Sequence, residues 1–272
     1  MEAAVIGRTA VVTGAARGGG RGVAQALAGH VENLVLVGRS TAATPNPRVG
    51  GTLEQVADEL RDRGSTVLVQ PADLSRAADR QALVDLVTGS LGGCDLLVNN
   101  AAFNPLGAFL DRSTTSFEAA LAVNVTAPAA LCHAFLPGML RAGFGRIVNI
   151  GSGAATTNYD GIAQVAYSTA KAAMERLSTA LAGEFAGRGV AVSCVRVDEA
   201  LRSEFLAELF PGAGAGDTAG GCTPDEFGVA VRWLLAQGDE VSGRVLTFQH
   251  LRDAGAFTAP APARTKGRVD ER

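Results

Sequence analysis

The stretch Thr9-Ala10-Val11-Val12-Thr13-Gly14-Ala15-Ala16-Arg17-Gly18-Gly19-Gly20-Arg21-Gly22 runs from a short β-branched and apolar segment into a cluster of glycines, and a helix-patterned segment follows at once. Glycine has a chemical purpose in such a place. A strand must turn sharply into a helix while its backbone comes close to a pyrophosphate, and the helix N-terminus supplies unpaired N–H donors and the positive end of a dipole. Gly14, Gly18, Gly19 and Gly20 are therefore expected to cradle a phosphate, with Arg17 placing a positive charge inside the loop.

Outward from this turn the pattern repeats. Short β-branched runs at residues 9–13, 34–37, 66–69, 96–98, 146–150, 190–195 and 244–248 read as strands. Between them lie stretches of helical length at 20–28, 51–63, 77–89, 115–141, 165–186 and 224–236. Strand followed by helix, repeated, implies a parallel sheet with right-handed crossovers and ligands at the carboxyl ends of the strands. The expected fold is α/β: a Rossmann-like, doubly wound, seven-stranded parallel sheet with helices on both faces. Residues 1–257 read as one domain. Two segments interrupt the alternation: residues 40–48, with two prolines, look like an insertion after the second strand, and the Gly/Ala-rich 211–221 belongs to a lid-like segment at about 199–222. Residues 258–272, rich in Ala, Pro and charge, are expected to be a disordered tail.

The second strand ends in Gly38, Arg39 and Ser40. About 20 residues past the glycines an acidic side chain normally meets the ribose 2′-hydroxyl of NAD. No acid stands there. Arg39, Ser40 and Arg17 instead offer two guanidiniums and a hydroxyl, a set suited to a 2′-phosphate, so the expected cofactor is NADP(H) rather than NAD(H).

Tyr167 and Lys171 stand four residues apart in a helix-patterned run, on one face of that helix, and Ser152 ends the strand-like segment upstream. An ordinary tyrosine titrates near about 10 and is a poor base. A neighbouring ammonium is expected to favour its ionised form and draw the phenol toward neutrality, where it serves in general acid–base catalysis, while Ser152 holds the oxygen being protonated.

With these residues in view, the chain from residue 8 to about 249 resembles the short-chain dehydrogenase/reductase family. Thr13, Gly14, Gly18 and Gly20 resemble its dinucleotide turn, Asp73 and Leu74 its adenine contact, and Asn99-Asn100-Ala101-Ala102 its Asn-Asn-Ala-Gly with alanine in the last place. Asn124, Ser152, Tyr167 and Lys171 resemble its catalytic tetrad. The resemblance implies that Tyr167 donates a proton to a carbonyl oxygen, Ser152 orients that oxygen, Lys171 binds the nicotinamide ribose and lowers the Tyr167 pKa, and Asn124 holds a water of the proton relay. Asn100 and Ala101, with Tyr167 and Lys171, join the expected cofactor contacts. The implied activity is NADPH-dependent reduction of a ketone to an alcohol on a small molecule. A non-redox isomerase, dehydratase or cyclase, and a catalytically silent NADP-binding scaffold, are the alternatives.

The family usually has Pro-Gly after the sixth strand, where this chain has Val197, Asp198 and Glu199. Either the two acids reshape the turn and keep the cofactor, or they point into the substrate pocket, or they are solvated loop carboxylates. The last strand also lacks the family's Asp-Gly-Gly ending.

Composition bounds the partners. A net charge of -3 and a pI near 5.7 argue against a general nucleic-acid or anionic-membrane binder and leave a small molecule as the expected partner. Cys94, Cys132, Cys194 and Cys222 show no metal or redox spacing, and His30, His133 and His250 form no ligand pattern with them, so reduced thiols and no metal are expected. The N-terminus shows no leader pattern, and no apolar stretch is expected to span a membrane, so the chain reads as cytoplasmic. Helices with apolar residues on more than one face lead to the expectation of a homodimer or homotetramer.

Overall fold

Alternate side chains of the first strand, β1 (Gly7–Thr13), enter two different cores: Ala10 and Val12 pack on one face, Val11 on the other. This is the period of two that a strand imposes. Burial on both faces explains why the strands read as nearly continuous apolar runs. The computed structural model describes residues 5–160, 162–209 and 221–257. In it β1 is joined by β2 (Val31–Gly38), β3 (Thr66–Pro71), β4 (Leu96–Asn99), β5 (Gly145–Ser152), β6 (Val190–Val197) and β7 (Val245–Thr247). All pairings are parallel, in the order β3-β2-β1-β4-β5-β6-β7. The chain winds outward from β1 in one direction and then from β4 in the other, so a crevice opens at the carboxyl ends of β1 and β4.

On one face the sheet carries α1 (Gly18–Leu27), α2 (Leu53–Leu60) and α8 (Pro224–Leu235), with Val23, Leu27, Leu53, Phe227 and Leu234 in the core. On the other lie α3 (Ala77–Asp85), α4 (Thr114–Leu121), α5 (Ala127–Ala142) and α6 (Val165–Glu184). Leu131, Phe135 and Met139 of α5 fill that second core. Helices α1 and α8 touch backbone to backbone: a Cβ on Gly228 would come within 2.0 Å of the Gly22 carbonyl oxygen, so only glycine fits the crossing.

Three expectations are corrected. The expected strand at 244–248 is cut short because Thr247 caps a further helix, α9 (Phe248–Asp253). Its hydroxyl accepts the His250 amide at 3.2 Å and His250 Nδ1 accepts the Thr247 amide at 3.2 Å. Within the expected lid-like segment at about 199–222 stands a short helix, α7 (Glu204–Leu209). Residues 210–220 of that lid, and the tail 258–272, lie outside the described residues. The expected helix 115–141 is interrupted by a π turn at Ala122–Thr126. Finally, the helical run Thr114–Ala142 is long and apolar enough to cross a membrane by length and composition, against the expectation that no stretch would be. In this fold its apolar residues Leu131, Phe135 and Met139 pack against the sheet instead.

Candidate active site

The crest between β1 and β4 is built around Thr13. Its hydroxyl accepts the amides of Asn100 (2.9 Å) and Ala101 (3.0 Å) and donates to the Val98 carbonyl (3.2 Å). Asn100 in turn donates its side-chain amide to the Thr13 carbonyl at 2.8 Å, stapling the end of β4 over the glycine turn. Gly14 has φ 69°, a left-handed conformation that favours glycine, and a Cβ there would strike the Asn100 side chain at 2.8 Å. Gly18, Gly19 and Gly20 form the buried first turn of α1, preceded by Arg17 in an extended conformation.

At the far end of this crevice Arg17 reaches the Ser40 hydroxyl, and Ser40 is buried. Burial pushes the Arg17 guanidinium below its ordinary value, Glu204 opposes this, and Arg39 adds to it. Burial pushes the Asp73 carboxyl up, but the Ser75 hydroxyl and amide, with Arg39 and Arg76, outweigh it and hold the group below its ordinary range. Arg17, Arg39, Ser40 and Asp73 are thus brought to one end of the site. Leu74 is buried beside them.

Ser152 ends β5 and Tyr167 lies on the first turns of α6. Burial pushes the Tyr167 phenol up to about 12, while its hydrogen bond with the Ser152 hydroxyl pulls it the other way. Lys171 is fully buried, donates to the Ile150 carbonyl at 2.6 Å, and holds its Nζ 5.5 Å from the Tyr167 ring centre. Burial drives this ammonium down to about 8, against Cys194 and Glu175. The expectation that Lys171 draws the phenol toward neutrality is therefore corrected. The ammonium is directed at a strand carbonyl, and desolvation dominates the phenol. Asn124 is buried within the π turn, where its side-chain amide donates to the carbonyls of Phe103 (2.7 Å) and Ala120 (2.8 Å) and its oxygen accepts the Phe103 amide. It fastens the loop after β4 to the helix below the site.

Asp198 is exposed and Glu199 half-buried, and both find partners in α9. Asp198 accepts the Phe248 amide of α9 at 3.0 Å, and Glu199 forms a two-pronged ion pair with Arg252 at 2.6 and 2.7 Å. Both acids bind α9. Three residues near the site went unread in the sequence. Glu175, one turn beyond Lys171, pairs with Arg196 of β6 through two bonds of 2.8 and 2.7 Å. The helical spacing from Lys171 was a usable signal for it. Tyr159, one of two tyrosines in the chain, lies over Gly153, where a Cβ would meet its hydroxyl at 2.2 Å. Glu204 of α7 accepts the Gly18 amide at 3.0 Å, a contact across 186 positions that no local pattern announces.

A doubly wound parallel sheet with Ser152, Tyr167 and Lys171 gathered at the carboxyl ends of its strands defines a Rossmann-like α/β protein. Residues 8–199 match the family described as short chain dehydrogenase, and the chain belongs to that family of NAD(P)-dependent oxidoreductases. It is 34% identical over 189 residues to the oxidoreductase UcpA of Salmonella typhimurium, covering 70% of this chain and 68% of that protein. It is 32% identical over 243 residues to the D-threitol dehydrogenase of Mycolicibacterium smegmatis, covering 85% and 86%. Among solved structures, a metagenomic short-chain oxidoreductase in complex with NADP superposes with a TM-score of 0.72 at 28% identity, covering 90% of this chain and 98% of that one.

Proposed function

We propose that this protein is an NADPH-dependent reductase that converts the ketone of a small molecule to an alcohol. The observation that carries this reading is the placement of the Tyr167 phenol beside the Ser152 hydroxyl, with Lys171 Nζ 5.5 Å from its ring centre. The phenol keeps its proton at neutral pH, as any tyrosine does, and its position beside Ser152 places that proton for donation. Ser152 donates a hydrogen bond to the carbonyl oxygen. Tyr167 delivers its proton to that oxygen as negative charge builds there. NADPH, when bound, supplies the hydride. The Gly14–Gly20 turn would hold its pyrophosphate and Arg17, Arg39 and Ser40 its 2′-phosphate, while Asp73, Leu74, Asn100 and Ala101 would line the rest. The turn suits an anion, since the Gly18 amide already bonds the Glu204 carboxylate. The NADP held by the similar metagenomic oxidoreductase supports the same choice.

The test needs no substrate: fluorescence titration of the purified protein with NADPH and NADH, alone and as Arg39→Ala. NADPH should bind the more tightly, and the substitution should weaken it about tenfold, the worth of one charge-assisted contact, with little effect on NADH. Equal effects on both would remove the 2′-phosphate reading, and failure to bind either would remove the reductase. Consumption of NADPH with a panel of ketones then checks the chemistry.

A further inference from the structure

We propose that Glu204 is an internal competitor of the cofactor: its carboxylate bonds the N-terminus of α1 and must leave before a dinucleotide phosphate can take that place. This inference rests on the cofactor reading above and concerns the same turn. The local sequence leaves the start of α1 without an acceptor of its own. Arg17 at the cap makes no side-chain bond to the helix, and the first turn holds no acidic residue. Among the described residues the acceptor comes from α7 instead. Glu204 Oε2 accepts the Gly18 amide at 3.0 Å, and Oε1 stands 4.0 Å from the Arg21 guanidinium. The approach of α7 is fixed by its own anchor. Arg202 donates its amide to the Cys222 carbonyl and Cys222 donates to Ala200, both at 2.9 Å. A Cβ on Gly18 would meet Ser203 at 3.2 Å, and one on Gly19 would meet Leu201 at 3.0 Å, so residues 201–204 rest directly on the glycine turn.

A single N–H donor cannot serve a carboxylate and a phosphate oxygen at once, and two anions against one helix end repel. Part of the affinity of the turn for phosphate is therefore spent on displacing Glu204, and the position of α7 and occupation of the turn become coupled. By reciprocity, anything that draws α7 off the turn tightens the cofactor by the same factor.

The experiment is NADPH titration of the wild type, Glu204→Gln, and Glu208→Gln, the last removing an exposed charge from the same helix. Glu204→Gln keeps the size of the side chain and removes the competing charge. NADPH should bind it about two- to fivefold more tightly, the range of a charge at a helix end, while Glu208→Gln stays at the wild-type affinity. Unchanged or weaker binding in Glu204→Gln, or an equal gain in Glu208→Gln, overturns the competitor while leaving the cofactor site standing. If the wild type and all variants fail to bind NADPH and NADH alike, the cofactor reading falls, and the competitor with it.

Discussion

Tyr167 is a weak acid, and burial pushes its phenol further up, to about 12. The phenol keeps its proton at neutral pH, as a free tyrosine does, while burial makes it the weaker acid, and the role proposed for it is protonation of a carbonyl oxygen. Tyr167→Phe should lower turnover about 100- to 10,000-fold, the usual worth of a positioned proton donor, while NADPH affinity and the unfolding midpoint stay near wild type. Turnover within a few-fold of wild type would remove Tyr167 from the mechanism. The four-residue step to Lys171 was legible in sequence, because a helix puts such a pair on one face. What the ammonium does there was not legible. It donates to the Ile150 carbonyl at the end of β5, a partner 21 positions away, and only the packing of α6 against β5 brings that acceptor within reach.

At the scale of elements, the turn after β6 is anchored to α9. Asp198 meets the first amide of α9 and Glu199 pairs with Arg252, whose guanidinium also lies 5.2 Å from the Phe257 ring centre. The pair is largely enclosed, with Arg252 only 10% exposed along its side chain, so losing one partner strands the other away from water. Glu199→Ala and Arg252→Ala should each destabilise the fold by about 2 kcal/mol, and the double variant by clearly less than their sum. Additive losses in urea unfolding would show that the two side chains do not depend on each other. The charges at 198 and 199 were plain in sequence, but their partners sit about 50 residues on, in a helix whose first residue had been read as the end of a strand. The capping exchange between Thr247 and His250 ends β7 early, and a histidine is an unusual acceptor for that exchange. The glycine turn, by contrast, was read from local sequence, since its left-handed Gly14 lies where the strand has to turn.

For the molecule as a whole, the buried pair of Tyr167 and Lys171 makes stability depend on pH. Lys171 titrates at about 8 in the folded chain against 10.5 ordinarily. Between those values the unfolded chain holds a proton that the folded chain has released, so stability rises with pH across the window, and the cost of burying the ammonium is fully present below about 8. Tyr167 acts the other way: from 10 to about 12 the folded chain keeps a proton the unfolded chain loses, so its contribution falls with rising pH. Urea midpoints from pH 7 to 10.5 should therefore show the wild type gaining about 3 kcal/mol relative to Lys171→Met. Parallel curves would mean that Lys171 titrates like a free lysine. The order of strands and helices, the phosphate-type turn and the spacing of Ser152, Tyr167 and Lys171 were determined by the sequence alone, because each is set by neighbours within a few residues: a hydrophobic period, a glycine that must turn, a helical step. The pairing of Glu175 with Arg196, the binding of Asp198 and Glu199 to α9, and the seating of Glu204 on Gly18 were decided only by the tertiary structure. Each joins groups from 21 to 186 positions apart, and a charge finds such a partner only after the sheet has closed and desolvation has made an unpaired charge costly.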